Sequence, residues 1–371
     1  MLYNLLAKPL LFSLGAESAH DTVFKLAKVL NATPISRSAA GAVLSSSDSV
    51  LGQRILDLDF PNPVGLAAGF DKNGHLAKLF ESIGFGFIEV GSVTAQPSAG
   101  NAKPRSFRLP KDQALINRMG LNNDGADVIT KRLKALKLRI PLGINIAKTH
   151  SSEIQGPAAI TDYVESFQKV EPLAAYITVN ISCPNTADGR TFEDKAGLTE
   201  LLDAINEVRS KNGPPVLVKF SVDADQATLS SLVELSLNKG MNGFVATNTS
   251  NSRAGLLTEG DTVEHIGRGG LSGRPIHKRS NAVVAAIRQA AGSDVPVIGV
   301  GGVESAETAI AKLAAGADLV QVYTGMVYQG PGLAGQINKV IASSIRKRGL
   351  SGIGEFIQLV REEQNTAVLS S

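Results

Sequence analysis

Eight short apolar, β-branched runs recur along the chain: Val64–Ala68, Phe87–Gly91, Leu142–Ile146, Tyr176–Asn180, Val216–Phe220, Phe244–Asn248, Val297–Gly301 and Leu319–Tyr323. They are largely apolar on both faces rather than alternating, the pattern of parallel strands covered by helices on one side and a core on the other. Most of the segments between them repeat every 3.6 residues. Leu198, Leu201, Leu202, Ile205 and Val208 make one such face, and Leu229, Leu232, Val233 and Leu235 another. Eight units of this kind predict an α/β fold, a (β/α)8 TIM barrel. An open doubly wound sheet fits less well, because no Gly-x-Gly-x-x-Gly turn follows the first run.

The start of the chain breaks this rhythm and predicts a separate piece, residues 1–45, ahead of a barrel at 46–371. Leu2, Tyr3, Leu5, Leu6, Leu10, Leu11, Phe12 and Leu14 form a short apolar helix whose one charge is Lys8, with Pro9 as a point of kinking. A second helix, with Ser18 as its expected cap, turns Val23, Phe24, Ala27 and Leu30 to one side and Lys25 and Lys28 to the other. Ser36–Ser49 is rich in Ser, Ala and Gly and reads as a linker. Either the two helices plug one end of the barrel, or they form an apolar lid that dips into a bilayer surface. The density of leucines in the first helix favours the lid.

In such a barrel, chemistry gathers where strands end, and polar residues collect there. Asp71 and Lys72 follow the first strand, and Ser92 and Thr94 the second. Asn145 ends the third, Asn180 to Thr186 the fourth, and Lys219 the fifth. Thr247 to Ser250 end the sixth, Gly299 to Gly302 the seventh, and Tyr323 to Gly325 the eighth. The most concentrated group is Asn180-Ile-Ser-Cys-Pro-Asn185-Thr, with two amides, a hydroxyl and the chain's only thiol, Cys183. Two such amides can grip a planar, multiply hydrogen-bonding ligand. A thiol ionises near pH ~8.5 and can serve as base or nucleophile. The bland alternative is a loop whose polar side chains satisfy their own backbone.

Gly299-Val-Gly-Gly302, with a helix opening near Ser305, has the form and position of a phosphate cradle. Gly269–Gly273 is a further loop for close approach. Lys72 and Lys219 sit at strand ends, where lysines face anions. His75, His150, His265 and His277 are isolated, and no metal-ligand spacing occurs. A net charge of +3 without a basic run argues against nucleic acid. One cysteine excludes an internal disulfide and points to a reducing compartment. No apolar stretch approaches the ~20 residues of a membrane span, and neither a secretory signal nor a transit presequence is evident. A phosphate site, cationic strand ends and several amides without a metal imply a phosphate-bearing organic cofactor and a polar planar substrate. Redox chemistry on flavin mononucleotide fits better than phosphosugar isomerisation, which lacks its paired Glu and His.

At this point the chain resembles the dihydroorotate dehydrogenases along nearly all its length. The matching motifs include Gly65-Leu-Ala-Ala-Gly-Phe-Asp-Lys72, Glu89-Val-Gly-Ser-Val-Thr94, Lys103-Pro-Arg-Ser-Phe-Arg-Leu109, Ile116-Asn-Arg-Met-Gly120 and the loop Asn180–Thr186. Ala246–Thr249, Gly269–Gly273, Gly299–Gly302 and Val320–Thr324 match as well. The N-terminal helices, with Glu17-Ser-Ala-His20, are similar to the membrane-associated, quinone-reducing class 2 enzymes. The resemblance implies oxidation of dihydroorotate to orotate in pyrimidine synthesis on flavin mononucleotide, with electrons passing to a quinone beneath the N-terminal helices. It implies a peripheral position on the cytoplasmic face of a bacterial inner membrane, or on the mitochondrial inner membrane of a eukaryote. Carried over, Cys183 would be the base. Lys72, Asn117, Asn180, Asn185, Asn248 and Thr249 would hold the substrate. Ala67, Ala68, Gly69, Ser92, Asn145, Asn180, Lys219, Gly273, Gly302, Tyr323 and Thr324 would hold the flavin. His20 and Arg108 would line the quinone tunnel.

The chain departs from the class 2 pattern at four places. Cys183 stands where Ser is usual, a habit of the soluble class 1 enzymes. Leu121 replaces Phe, Ala147-Lys-Thr149 replaces Gly-Lys-Asn, and Phe220-Ser-Val-Asp223 replaces Ile-Ala-Pro-Asp. These leave room for a soluble acceptor such as fumarate, or for a flavin-binding paralogue without turnover.

Overall fold

A computed structural model describes residues 3–182 and 192–369. Eight parallel strands close into a barrel: β1 (Val64–Leu66), β2 (Phe87–Val93), β3 (Leu142–Ile146), β4 (Tyr176–Asn180), β5 (Val216–Phe220), β6 (Gly243–Ala246), β7 (Val297–Val300) and β8 (Leu319–Val322). Each pairs in parallel with the next, and β8 closes the ring on β1 through Val320 opposite Val64 and Val322 opposite Leu66. Every apolar run expected to be a strand is one. Leu142, Ile144, Ile146 and their counterparts face the helices in one continuous layer of buried side chains.

The opposite, inward faces fill the lower barrel with Phe60, Phe87, Tyr176, Leu217, Val245, Ile298 and Leu319. Room for the rings comes from glycines on neighbouring strands. A Cβ at Gly65 would lie 2.3 Å from the Phe87 ring, and one at Gly143 would lie 2.2 Å from Tyr176. A hairpin, Gln53–Ile55 with Leu58–Phe60, closes this bottom end and sets Phe60 edge-on to Phe87 at 5.4 Å. With its floor filled by side chains, the barrel is open only at the top, where the strands end.

A three-stranded antiparallel sheet, Ser106–Leu109, Ala114–Asn117 and Gly270–Gly273, stands over part of that mouth. The Gly269–Gly273 stretch, expected as a loop, is therefore largely a strand. Three α-helices precede the barrel: α1 (Lys8–Ser13), α2 (Ala16–Asn31), which lies against the Ser106–Leu109 strand, and α3 (Pro34–Leu44), which packs on α2 and on the helix Ala77–Ser82. The third is a correction to the linker expected over Ser36–Ser49. Thr33 caps it by accepting the Ser36 amide at 3.2 Å, and Pro34 sits in its first turn. Its small residues serve close packing rather than flexibility: a Cβ at Gly41 would lie 2.5 Å from the Ser82 carbonyl. Ser18 is likewise not a cap. Helix α2 begins at Ala16, so Ser18 falls within its first turn.

Candidate active site

One cavity of about 430 Å³ runs from the top of the barrel to the underside of α1 and α2. Its barrel end is lined by Ala67, Ala68, Gly69, Lys72, Ser92, Asn117, Asn180, Lys219, Asn248, Thr249, Gly273, Gly302, Tyr323 and Thr324. Its outer end is lined by His20 and Arg108 together with Tyr3, Phe12 and Phe24. Two groups of residues expected to serve different partners thus share one enclosed space.

The amides at the barrel end are wired to a buried carboxylate. Glu89, on β2, is wholly buried and accepts from Asn145 Nδ2 at 2.9 Å, Tyr176 OH at 3.1 Å and Gln321 Nε2 at 2.8 Å. A carboxylate can only accept, so Asn145 must turn its NH₂ inward and its oxygen outward. That oxygen takes the Ser92 hydroxyl proton at 2.5 Å. Ser92 Oγ in turn accepts Asn180 Nδ2 at 3.3 Å, and Asn180 Oδ1 accepts Asn248 Nδ2 at 3.3 Å. The polarity of one carboxylate is thereby passed through strands β2, β3 and β4 to the residue just past β6. Asn248 also donates to the Ser182 carbonyl at 3.1 Å, and the Ser182 hydroxyl donates to the Lys219 carbonyl at 3.2 Å. These bonds fix the entry to the Cys183 loop from below.

Two lysines face the cavity from opposite walls. Lys72 follows a turn organised by Asp71, whose carboxylate accepts the amides of His75 and Leu76 at 2.9 and 2.7 Å. Burial, and then the Arg105 charge, push the Lys72 ammonium down to about 8, leaving it mostly protonated at neutral pH. Lys219, near the end of β5, is 6% exposed. On the third side the chain after β7 makes a tight glycine turn. Gly301 and Gly302 adopt φ of 121° and 70°, conformations that a side chain resists. Their amides have no backbone acceptor among the described residues. Ser305 then opens the helix Ala306–Ala314 with a capping box to Thr308. Thr324 Oγ1 and Ser272 Oγ stand 2.8 Å apart beside this turn, and Tyr323 OH reaches the Gly69 carbonyl at 3.4 Å.

The outer end is apolar and is held by two arginines. Arg105, 8% exposed, binds Glu17 of α2 through Nε at 3.0 Å and Nη2 at 2.5 Å, and the Ala99 carbonyl at 2.8 Å. Arg108 binds the carbonyls of Leu11, at 2.9 Å, and Leu14, and lies over the Phe12 ring at 4.5 Å. His20 packs edge-on against Phe70 at 5.6 Å, and Phe70 against Tyr323 at 5.3 Å. Burial and then the Lys72 charge hold the His20 imidazole down to about 4, so it is neutral. Outside, Leu5, Leu6, Leu10, Leu26, Val29, Ile35 and Val43 are 62–82% exposed. Beyond residue 44 only Val128, Leu257 and Val340 are exposed large apolar residues, among those described.

Of the residues singled out from the sequence, Cys183 and Asn185 lie outside the described residues. Asn145 does not line the cavity; it is fully buried behind Ser92 and acts through it. The other residues given a substrate, flavin or quinone role by the resemblance all line the one cavity. Sequence reasoning missed Glu89 as an organiser, together with Gln321 and Ser272. The one available signal for Glu89 was a carboxylate inside an otherwise apolar run.

The dihydroorotate dehydrogenase family model matches residues 50–345. A protein of Mycolicibacterium smegmatis named dihydroorotate dehydrogenase (quinone) is 40% identical, covering 96% of this chain and 99% of its own. One of the same name from Haloarcula marismortui is 40% identical, covering 95% and 97%. Among solved structures, the Eimeria tenella DHODH in complex with ferulenol superposes with a TM-score of 0.82 at 31% identity, covering 94% of this chain and 98% of its own.

Proposed function

The chain belongs to the dihydroorotate dehydrogenase family, and from that premise we propose that it oxidises dihydroorotate to orotate in de novo pyrimidine synthesis. Flavin mononucleotide is the hydride acceptor and a membrane quinone the final oxidant. The observation that carries this reading is the single cavity joining a polar, amide-lined barrel mouth to an apolar chamber under an exposed apolar lid. A reaction with one polar and one lipid-soluble reactant needs both environments within reach of one redox group.

The residues present fit a flavin nucleotide. The Gly301–Gly302 turn and Thr324 offer a phosphate cradle; a Cβ at Gly302 would collide with His277 at 2.5 Å, so the turn admits no side chain there. Ala67, Ala68, Gly69, Ser92, Asn180, Lys219, Gly273 and Tyr323, which line the same cavity, would hold the ring. Bound there, the flavin would take a hydride from one reactant and release electrons to the other.

The chain's own part is binding and proton handling. Lys72 neutralises the substrate carboxylate, while Asn117, Asn180, Asn185, Asn248 and Thr249 meet the ring amides and carbonyls. With its amide orientations preset by Glu89, the site requires little reorganisation when substrate arrives. Cys183 takes the proton from the ring carbon next to the substrate carbonyl, which acidifies it. A thiol titrates nearer neutrality than an alcohol and needs less tuning to act as base. His20 and Arg108 border the quinone chamber. The exposed lid face rests on the membrane surface, from the cytoplasmic side in a bacterium; no described helix is long and apolar enough to cross a membrane.

Anaerobic titration with dihydroorotate tests the reading directly. The protein should be yellow, release flavin mononucleotide on denaturation, and bleach on addition of dihydroorotate. Cys183→Ala should bind orotate nearly normally yet bleach on the order of 10²–10⁴-fold more slowly. A variant that bleaches at the parental rate, beside a slow Ser182→Ala, would move the base to Ser182.

A further inference from the structure

Beneath the Gly299–Gly302 turn lies a buried lysine. Lys312, on the helix Ala306–Ala314, is fully buried. Its stem runs along β7 so closely that a Cβ at Gly299 would lie 2.6 Å from Lys312 Cγ. Its ammonium donates to Ser280 Oγ at 2.8 Å and to Asn281 Oδ1 at 2.6 Å, both on the helix His277–Ala291. No carboxylate pairs with it among the described residues.

In the surrounding hydrogen bonds the Lys312 amino group is the donor throughout. Ser280 Oγ accepts from Lys312 and passes its own proton to the Val300 carbonyl at 2.7 Å. Asn281, with its oxygen committed to Lys312, turns its Nδ2 to His277 Nε2 at 3.2 Å. His277 then accepts through Nε2, the neutral form of the ring, and it abuts Gly302. Every bond thus runs outward from Lys312 to the two sides of the glycine turn. A Cβ at Gly301 would lie 2.9 Å from Ser280 Oγ, which places the ammonium one hydroxyl away from the turn's inner surface.

Burial without a partner is expensive for a charge, and it draws the Lys312 ammonium down to about 7. An anion within range would hold such a group charged. The glycine turn is where the flavin reading, on which this inference rests, puts a phosphate dianion. We propose that Lys312 is a buried counter-charge for the cofactor phosphate, acting through the Gly299–Gly302 backbone without touching the ligand. It is a positioning residue. Its effect would fall on the phosphate, the part of the cofactor that the glycine turn would hold.

The full-length chain, stripped of flavin, can be titrated by fluorescence with flavin mononucleotide and with riboflavin, which carries the same ring without the phosphate. Lys312→Met keeps the length of the buried stem and removes the charge. It should weaken flavin mononucleotide binding on the order of tenfold and leave riboflavin affinity unchanged. Asn281→Asp offers an independent variant that keeps the lysine. A carboxylate beside Lys312 should neutralise its field and produce the same selective loss. Equal losses for both ligands, or no loss for either, would overturn the proposal and leave the lysine a packing element. A parental chain that binds neither flavin would overturn the flavin reading itself, and the proposal with it.

Discussion

The barrel mouth and the N-terminal lid line the same cavity and are built on opposite rules. At the mouth the polar side chains are buried and their orientation is set by a neighbour, in a chain that begins at Glu89 and ends at Asn248. In the lid many apolar side chains are turned out to solvent while Phe24, Ala27, Ala40 and Leu44 pack inward, and polar attachment comes from the Glu17–Arg105 pair, the Arg108 bonds to the C-terminal end of α1, Tyr3 OH to the Val327 carbonyl at 2.6 Å and Asn31 to the His75 carbonyl at 2.8 Å. The contrast follows from what each must do. Abstracting a proton from a polar ring calls for groups preset within fractions of an ångström, and only a satisfied buried network holds them so. Admitting a lipid-soluble reactant calls for an apolar surface that a bilayer can cover, and exact polar geometry adds nothing there.

The sharpest way to break the comparison is to remove one region. Deleting residues 1–44 should abolish reduction of a quinone analogue while dihydroorotate still bleaches the flavin within about threefold of the parental rate, since no group at the mouth is supplied by the lid. Stopped-flow bleaching beside steady-state quinone assays separates the two. Quinone turnover that survives deletion would dissolve the division of labour and favour a soluble acceptor.

A smaller effect is expected inside the mouth. Glu89→Gln keeps the shape but presents an NH₂ to either Asn145 or the Tyr176–Gln321 pair, each of which donates. An NH₂ toward Asn145 meets a donor, and one toward Tyr176 and Gln321 requires the hydroxyl and the amide there to reverse; either rearrangement of the buried network costs about 1–3 kcal/mol. The expected outcome is a lower denaturant midpoint, weaker orotate binding and slower bleaching, with the quinone KM unchanged. If the quinone KM moves instead, the amide chain does not end at the substrate.

The two regions also differ in how far they could be read from residue order. The eight barrel strands were legible because both their faces are buried, which writes an uninterrupted apolar run. The mouth residues were legible because such strands end in loops where polar groups stand out. The lid was harder. Small residues in α3 look like a linker until Gly41 is seen against the Ser82 carbonyl, since tight helix packing and chain flexibility select the same amino acids. The antiparallel sheet over the mouth was missed for a related reason: Gly270–Gly273 is glycine-rich because a Cβ at Gly270 would lie 2.0 Å from Thr249. Glu89 and Lys312 were invisible as organisers, because their importance lies wholly in burial and in partners distant along the chain.

The finest test concerns His20, where the two regions meet. Its ring lies under α2, between Phe24 and Phe70, and within the field of Lys72. Burial first and that charge second keep it neutral down to about pH 4. An unfolded chain takes up this proton near pH ~6.5. Below that value the unfolded state therefore binds a proton that the folded lid refuses, so lid stability falls as pH drops from 6.5 toward 4 and is insensitive above it. Glu17, whose carboxyl burial raises but the Arg105 bond and charge lower overall, adds a loss of the same sign toward the acid end of this window. Proteolytic release of the N-terminal segment should accordingly accelerate below pH ~6. His20→Phe should reduce this acid-induced release, leaving the smaller share of Glu17 and of His75, which packs against Phe24. A quinone KM that breaks near pH 6.5 in the parental protein and not in His20→Phe would mean that the ring is protonated in the working enzyme and that the lid is wetter than its packing implies.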